Sequence, residues 1–409
     1  MLSLNPMTLP PPLDWPVAGI GPGPEIPQHL RVTRENWRLY PFSRWAFQHT
    51  RELVPSRALR RSPSPRLLPY APVDLSGLSF DGMDWEGFIA ATYTDAMIVL
   101  HKGAIVYETY RNGMTPLTPH HCFSVSKSFV GLIAEILISA GRLDPQRPVT
   151  DYVAELAESG FAGARVRDLL DMTDGVAFDE DYANPDADVH RYSASYWTPS
   201  AATGGARETL ARLDTRVAEP GTSFSYRTPV ADALGWVLVN ATGQRLADLA
   251  TELLWHPAGC EEDGHFLVDT AGHEIAATGL NATARDLARL ALLILDGDSA
   301  LPSDVRERIL AGGDRALFAS SRHASRAGGS YRSQWWVSHN AQGAISALGV
   351  YGQRVHIEPA AELALVRFGS YPLPSNLHTD AVHQAAFDTL RAHLTHREKS
   401  TATRSPPMA

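Results

Sequence analysis

Ser124 and Lys127, in the run Ser124-Val125-Ser126-Lys127, are a hydroxyl and an amine three residues apart at the head of an apolar stretch. On a helix, positions i and i+3 share a face with Cβ atoms about 5–6 Å apart, so the amine reaches the hydroxyl. Burial penalises the charged ammonium, lowers its pKa and frees a neutral amine to act as a base. The start of a helix adds positive potential where an alkoxide or oxyanion forms. The chemistry implied is a nucleophilic serine activated by a lysine. The ordinary alternative is a serine that caps a helix, with a solvated lysine one turn on. Lysine usage speaks for the first reading: the chain holds three lysines, Lys102, Lys127 and Lys399, against 33 arginines. Lysine can give up its proton when desolvated and arginine cannot. Lys102 falls in a hairpin turn and Lys399 in a polar tail, whereas Lys127 stands among apolar residues.

The elements that must hold this pair are partly legible. A helix is expected over 124–140, because Phe129, Val130, Leu132, Ile133, Ile136 and Leu137 cover most of its circumference, as in a central buried helix. Gly141 marks its stop and Pro145 follows. Strands are expected at 97–100 and 105–110, joined at Lys102-Gly103, and again at 344–349, 353–357 and 363–368. Between them the signals are helical, clearest at 168–172 and 231–240. Thr283 reads as the N-cap of a helix carrying Leu287, Leu290, Leu293 and Ile294 and ended by Gly297. A last helix is expected over 377–394. Strands at both ends with helices between imply an α+β fold: one antiparallel sheet built from the N- and C-terminal parts and flanked by helices, with a helical lobe inserted at about 145–260. Residues 1–75 are rich in Pro and Arg and form an extension that packs on the body through Trp37, Trp45 and Phe47. The body spans 76–395, and 396–409 reads as a disordered tail.

Composition narrows the function. The 409 residues are 44% hydrophobic, ample for a large core, and carry a net charge of −9. No basic run appears, which argues against nucleic acid. Two cysteines, Cys122 and Cys260, exclude a disulfide framework and a Cys-rich metal site. No apolar run is long enough to span a membrane, and the first residues have neither a basic nor an apolar signal region, so a cytoplasmic protein is expected. There is no H-E-x-x-H and no G-x-S-x-G, and the sixteen histidines lack ligand spacing. Gly19-Ile20-Gly21-Pro22-Gly23 lacks the βαβ context of a nucleotide loop. No cofactor and no metal are expected.

The stretches FSVSKSFVGLIAEILISAGRLDPQRPVTDYV, FDEDYANPDADV, GTSFSYRTPVADALGWVL, NATARDLARL, GGSYRSQWW and GVYGQRVHIEP, in that order, resemble the serine β-lactamase and penicillin-recognising superfamily. Within it the chain is most similar to the class C-like esterases and the 6-aminohexanoate-dimer hydrolases, over about 97–395. The resemblance implies a β-lactamase-like fold, Ser124 as the acylated nucleophile and Lys127 as its adjacent amine. It implies Tyr226 as the tyrosine that shares the proton relay. Gly349-Val350-Tyr351 would be the strand that completes the oxyanion hole, with the amides of Ser124 and Val350 as donors. Tyr182 matches a loop tyrosine that hydrogen-bonds the scissile group in amide-hydrolysing members.

Two departures bear on substrate. The family's Tyr-x-Asn is here Tyr226-Arg227-Thr228, and the Lys-Thr-Gly triplet is absent, so lactam hydrolysis is not expected. In the 6-aminohexanoate hydrolases an acid after the Tyr182 position pairs with the substrate ammonium. Here the segment HRYSASY has no acid, and Arg191 would repel an ammonium. The resulting expectation is hydrolysis of a small ester or linear amide through an acyl-enzyme. A D-amino-acid peptidase and a non-catalytic ligand-binding descendant are the alternatives, and a homodimer is left open.

Overall fold

The computed structural model describes residues 9–198, 204–297, 300–321, 323, 326 and 328–402, with backbone alone for 398–402. Its strands are β1 (Ser56–Leu59), β2 (Ser79–Phe80), β3 (Met83–Asp84), β4 (Thr94–His101), β5 (Ala104–Tyr110), β6 (His120–His121), β7 (Gly264–Leu267), β8 (Leu280–Ala282), β9 (Ser330–Arg332), β10 (Trp335–Val337), β11 (Ile345–Gly349), β12 (Gln353–Glu358) and β13 (Leu363–Gly369). Seven of them form one antiparallel sheet in the order β5-β4-β13-β12-β11-β10-β9. The strands from the two ends of the body meet where β4 pairs with β13, Val99 opposite Leu365.

Side chains alternate across a strand, and both faces of this sheet are apolar. Met97 and Val99 of β4 and Leu363 and Leu365 of β13 face Trp85, Phe88, Phe387 and Leu390, from the helices Trp85–Ala91 and Asp380–Ala402. Ala96, Ile98 and Leu100 of β4 and Ala364, Val366 and Phe368 of β13 face the other core, built on the helices Val125–Ser139 and Ala284–Leu295. The latter helix opens as expected, the Thr283 hydroxyl accepting from the Asp286 amide. The expected helical stretches are Val166–Leu170 and Thr228–Thr242.

The helix Val125–Ser139 is enclosed almost throughout, and Gly141, at φ 68°, ends it in the left-handed region. Its backbone approaches the Ser333–Gln334 turn so closely that a Cβ on Gly131 would lie 2.1 Å from the Ser333 carbonyl oxygen. Gly131→Ala is therefore expected to cost at least about 2 kcal/mol despite alanine's better helix propensity, because a backbone atom must move. A urea denaturation midpoint at or above that of the parent chain would refute this close fit. Glu135, fully buried on the same helix, is met by Arg167 at 2.7 Å, Arg308 at 2.8 Å and the Ser333 hydroxyl at 2.5 Å, which satisfies the one carboxylate the helix carries inward.

Three features differ from the sequence-based picture. A second sheet, β1-β7-β8-β6, stands beside the first. Its strands are two to four residues long, too short for a period to register. The first of them pairs Ser56 with Leu267, so residues from the N-terminal stretch complete a sheet with residues far along the chain. Trp37, Trp45 and Phe47 belong to the main core. The final helix runs to Ala402, so 396–402 are helical where a disordered tail was expected, and 403–409 lie outside the described residues. Between Thr395 and Ala402 no glycine or proline stops the helix, and Arg397, Glu398 and Lys399 are good helix formers. Among the described residues no helix is long and apolar enough to cross a membrane.

Candidate active site

Ser124 sits where β6 turns into the central helix. The Cys122 amide donates to the Leu280 carbonyl at 2.9 Å, and the Leu280 amide donates to the Ser126 hydroxyl at 3.0 Å, stapling the turn to β8. Phe123, at φ 48°, is left-handed, a costly conformation for an aromatic residue. It sends the chain from strand into helix within one residue and leaves Ser124 at the helix N-cap. The Ser124 side chain makes no capping bond, so its hydroxyl is available for other partners.

The Lys127 amine is one of these, with Nζ 2.9 Å from Ser124 Oγ. It also donates to the Ala277 carbonyl at 3.1 Å and to Thr228 Oγ1 at 3.3 Å. Thr228 in turn donates its own proton to Glu180, and its amide donates to the other oxygen of that carboxylate at 2.8 Å. Thr228 Oγ1 therefore meets Lys127 as an acceptor, as does the Ala277 carbonyl. A neutral amine has two protons and one lone pair. With the two protons held by Ala277 and Thr228, the lone pair points at Ser124. Burial pushes the Lys127 pKa down to about 8, against the opposing pull of Glu180 and Asp232.

Tyr226 completes the group. The Lys127 amine lies 5.3 Å from the centre of its ring, and the ring stacks on Trp336 at 5.3 Å. Burial raises its phenol pKa well above the usual value, and a hydrogen bond with Ser124 opposes that rise. The middle residue of Tyr226-Arg227-Thr228 turns away: Arg227 is buried and paired with Asp174 at 2.6 Å. Tyr182 lines the same cleft as Ser124, but its hydroxyl donates to Glu180 at 3.1 Å, leaving only the oxygen as an acceptor. Glu180 was not singled out in the sequence; a buried carboxylate two residues before a tyrosine looks like any loop acid until the fold closes over it.

The other wall is the end of β11. A Cβ on Gly349 would fall 2.6 Å from the Cys122 carbonyl, so glycine is what lets this strand close on the turn that carries Ser124. Val350 and Tyr351 line the cleft with Ser124. Tyr351, at φ 63°, is the second left-handed aromatic here, and its ring packs on Phe47 at 5.1 Å and Phe123 at 5.2 Å. Ser124, Lys127, Tyr226, Tyr182, Gly349, Val350 and Tyr351 are thus all gathered around one cleft. Arg191 is not: it pairs with Asp188 and donates to the Asp186 carbonyl on the exposed side of the helix Asp188–Trp197, so the expectation that it repels an ammonium is withdrawn. From that segment Ser193, Tyr196 and Trp197 face the cleft. Among the described residues no His/Cys/Asp/Glu group has the geometry to hold a metal.

An antiparallel sheet joining both ends of the body, an inserted helical lobe and a serine–lysine pair at the head of the central helix define a β-lactamase-fold serine hydrolase acting on amides or esters. Residues 88–386 match the Beta-lactamase family model, and the chain belongs to that family. It is 35% identical over 354 residues, 85% of this chain and 90% of the relative, to the 6-aminohexanoate-dimer hydrolase of Paenarthrobacter ureafaciens. A solved Bacillus anthracis structure assigned as a 6-aminohexanoate-dimer hydrolase superposes with a TM-score of 0.79 at 30% identity, over 91% of this chain and 99% of that one. EstCE1, a hydrolase with promiscuous acyltransferase activity, shares the fold at TM-score 0.56 and 18% identity, over 68% of this chain and 88% of its own.

Proposed function

We propose that the chain hydrolyses a small ester or linear amide through an acyl-enzyme on Ser124, with Lys127 and Tyr226 moving the protons. The observation that carries this reading is the 2.9 Å approach of Lys127 Nζ to Ser124 Oγ, with the other two amine positions held by Ala277 and Thr228. The neutral amine takes the hydroxyl proton as Oγ bonds to the carbonyl carbon. The oxyanion is received by the amides of Ser124 and Val350, each such donor contributing about 2.7–4 kcal/mol of transition-state stabilisation. The tetrahedral centre then collapses, and the leaving nitrogen or oxygen takes a proton from Tyr226, which is replenished from the Lys127 ammonium. Water attacks the acyl-enzyme by the same relay in reverse and releases the acid.

The likeness to the named 6-aminohexanoate-dimer hydrolases supports a linear amide as one substrate class. Among the described residues no carboxylate lines the cleft to hold an ammonium, so a substrate without a free amine suits this site better than the zwitterionic dimer.

The test is the pH dependence of kcat/KM on a p-nitrophenyl ester. Only the deprotonated Lys127 can accept the proton, so the rate should rise about tenfold per pH unit below about 8 and level off above it. A profile that is flat from about pH 6 to 9, or that falls across that range, would show that a neutral amine is not the base. Intact-mass detection of an acyl adduct on the peptide containing Ser124 supplies the independent check.

A further inference from the structure

The cleft around Ser124 contains donors with no acceptors to meet them. Arg38, half-buried, lines it beside Trp37, its guanidinium 5.8 Å from the centre of that ring. Among the described residues it makes no ion pair and no side-chain hydrogen bond. The Trp197 ring, set edge-on against Trp37 at 5.5 Å, carries a buried indole N–H with no partner among the described residues. His121, fully buried, has neither ring nitrogen bonded. Burial first, then the imidazoles of His120 and His265 beside it and the Arg38 guanidinium, push its pKa well below the ordinary value, against a weaker pull from the Asn281 side chain, so the ring is neutral with one N–H to donate.

An indole N–H can only donate, and so can a guanidinium. A buried donor left without an acceptor costs about 1–3 kcal/mol, so two of them beside an unpaired guanidinium in one cleft are a feature to be explained by what enters it. Among the described residues no Asp or Glu lines the cleft; Glu180 stands behind it with its oxygens taken up by Thr228 and Tyr182. Three uncommitted donors, one of them a fixed charge, fit an acceptor-only anion with two oxygens.

We infer that Arg38, with the N–H groups of Trp197 and His121, forms a subsite that selects substrates carrying a carboxylate, so that the enzyme acts on anionic esters or amides. This rests on the serine-hydrolase reading above and names the substrate class of that same site. Arg38 comes from the N-terminal stretch, outside the residues that match the family model, and specificity is thereby supplied by a segment that is not part of the catalytic framework.

Two matched ester pairs test it: mono-p-nitrophenyl adipate against p-nitrophenyl hexanoate, with the charge on the acyl side, and 4-carboxyphenyl acetate against phenyl acetate, with the charge on the leaving side. In one pair or the other, the unmodified enzyme should favour the anion in kcat/KM by about tenfold or more, as a hydrogen-bonded charge contact provides. Arg38→Gln should bring that ratio close to one, and Trp197→Phe should lower it several-fold while keeping an aromatic ring. Turnover of the neutral esters with no anionic preference in either pair, or a preference that survives Arg38→Gln, overturns the subsite and leaves the hydrolase reading standing. Absence of turnover on every ester overturns the hydrolase reading instead. The subsite is then judged by saturation-transfer NMR with hexanoate, whose signal must be present in the native protein and fall in Arg38→Gln; no signal, or an unchanged one, overturns it.

Discussion

Ser124→Ala abolishes labelling by a fluorophosphonate probe and lowers ester turnover by about 10⁴–10⁶-fold, the scale on which removing the nucleophile of a serine hydrolase acts. The change deletes one oxygen. Ser124 makes no capping bond, and the turn that carries it is fixed by the Cys122 and Leu280 amides and by Ser126. The fold should therefore persist, with an unaltered circular dichroism spectrum and a melting temperature within a few degrees of the parent. Lys127 loses its contact with Ser124 and keeps its two acceptors, the Ala277 carbonyl and the Thr228 hydroxyl. Labelling that persists in the variant would place the nucleophile elsewhere.

Replacing Lys127 produces the second-largest loss. Lys127→Met keeps the length and apolar character of the side chain and removes the base, for an expected loss of about 10²–10⁴-fold in kcat/KM. Lys127→Arg should do no better, because a guanidinium stays charged at any working pH and has no lone pair to accept the proton. The pH profile separates a base from an electrostatic helper. If Lys127 is the base, residual activity in Lys127→Met no longer shows an inflection near 8, whereas a helper's removal would lower the rate and leave the inflection in place. Retention of native turnover by Lys127→Arg would end the proposed mechanism. The stability cost should be modest, since losing the ammonium removes a buried charge while leaving Thr228 and the Ala277 carbonyl short of a donor.

The two left-handed aromatics show how the cleft is held rigid. Phe123 and Tyr351 lie on opposite walls, one before Ser124 and one after Val350, and their rings pack together with Phe47 between the core and the cleft. Each backbone strain is compensated by ring contact, so the positions of Ser124 and Val350 are set by the same aromatic cluster. Trp37 stacks on Phe123 with the planes 6° apart, which ties the segment carrying Arg38 to the nucleophile turn.

Much of this was legible in the chain itself. The spacing of Ser124 and Lys127, a run of apolar residues covering a whole helix, and a lysine retained where arginine is otherwise the rule all point to one buried proton transfer. Local signals of that kind depend on residues within one or two turns of each other, and they placed the helices from Thr228 and from Ala284 to within a few residues. The short strands β1, β6, β7 and β8 were illegible because two to four residues carry no period, and β1 and β6 pair with partners far along the chain, Ser56 with Leu267 and His120 with Ala282.

The sequence by itself determined that Ser124 and Lys127 come together, because adjacency on a helix needs no other part of the chain. Only the tertiary structure decided which way the Lys127 lone pair faces, since that depends on Ala277, Thr228 and Glu180, which arrive from distant segments. It also decided that Arg191 faces solvent while Arg38 lines the cleft. The sign of a charge can be read from its residue type, but its direction is fixed by packing, and packing is a property of the whole chain.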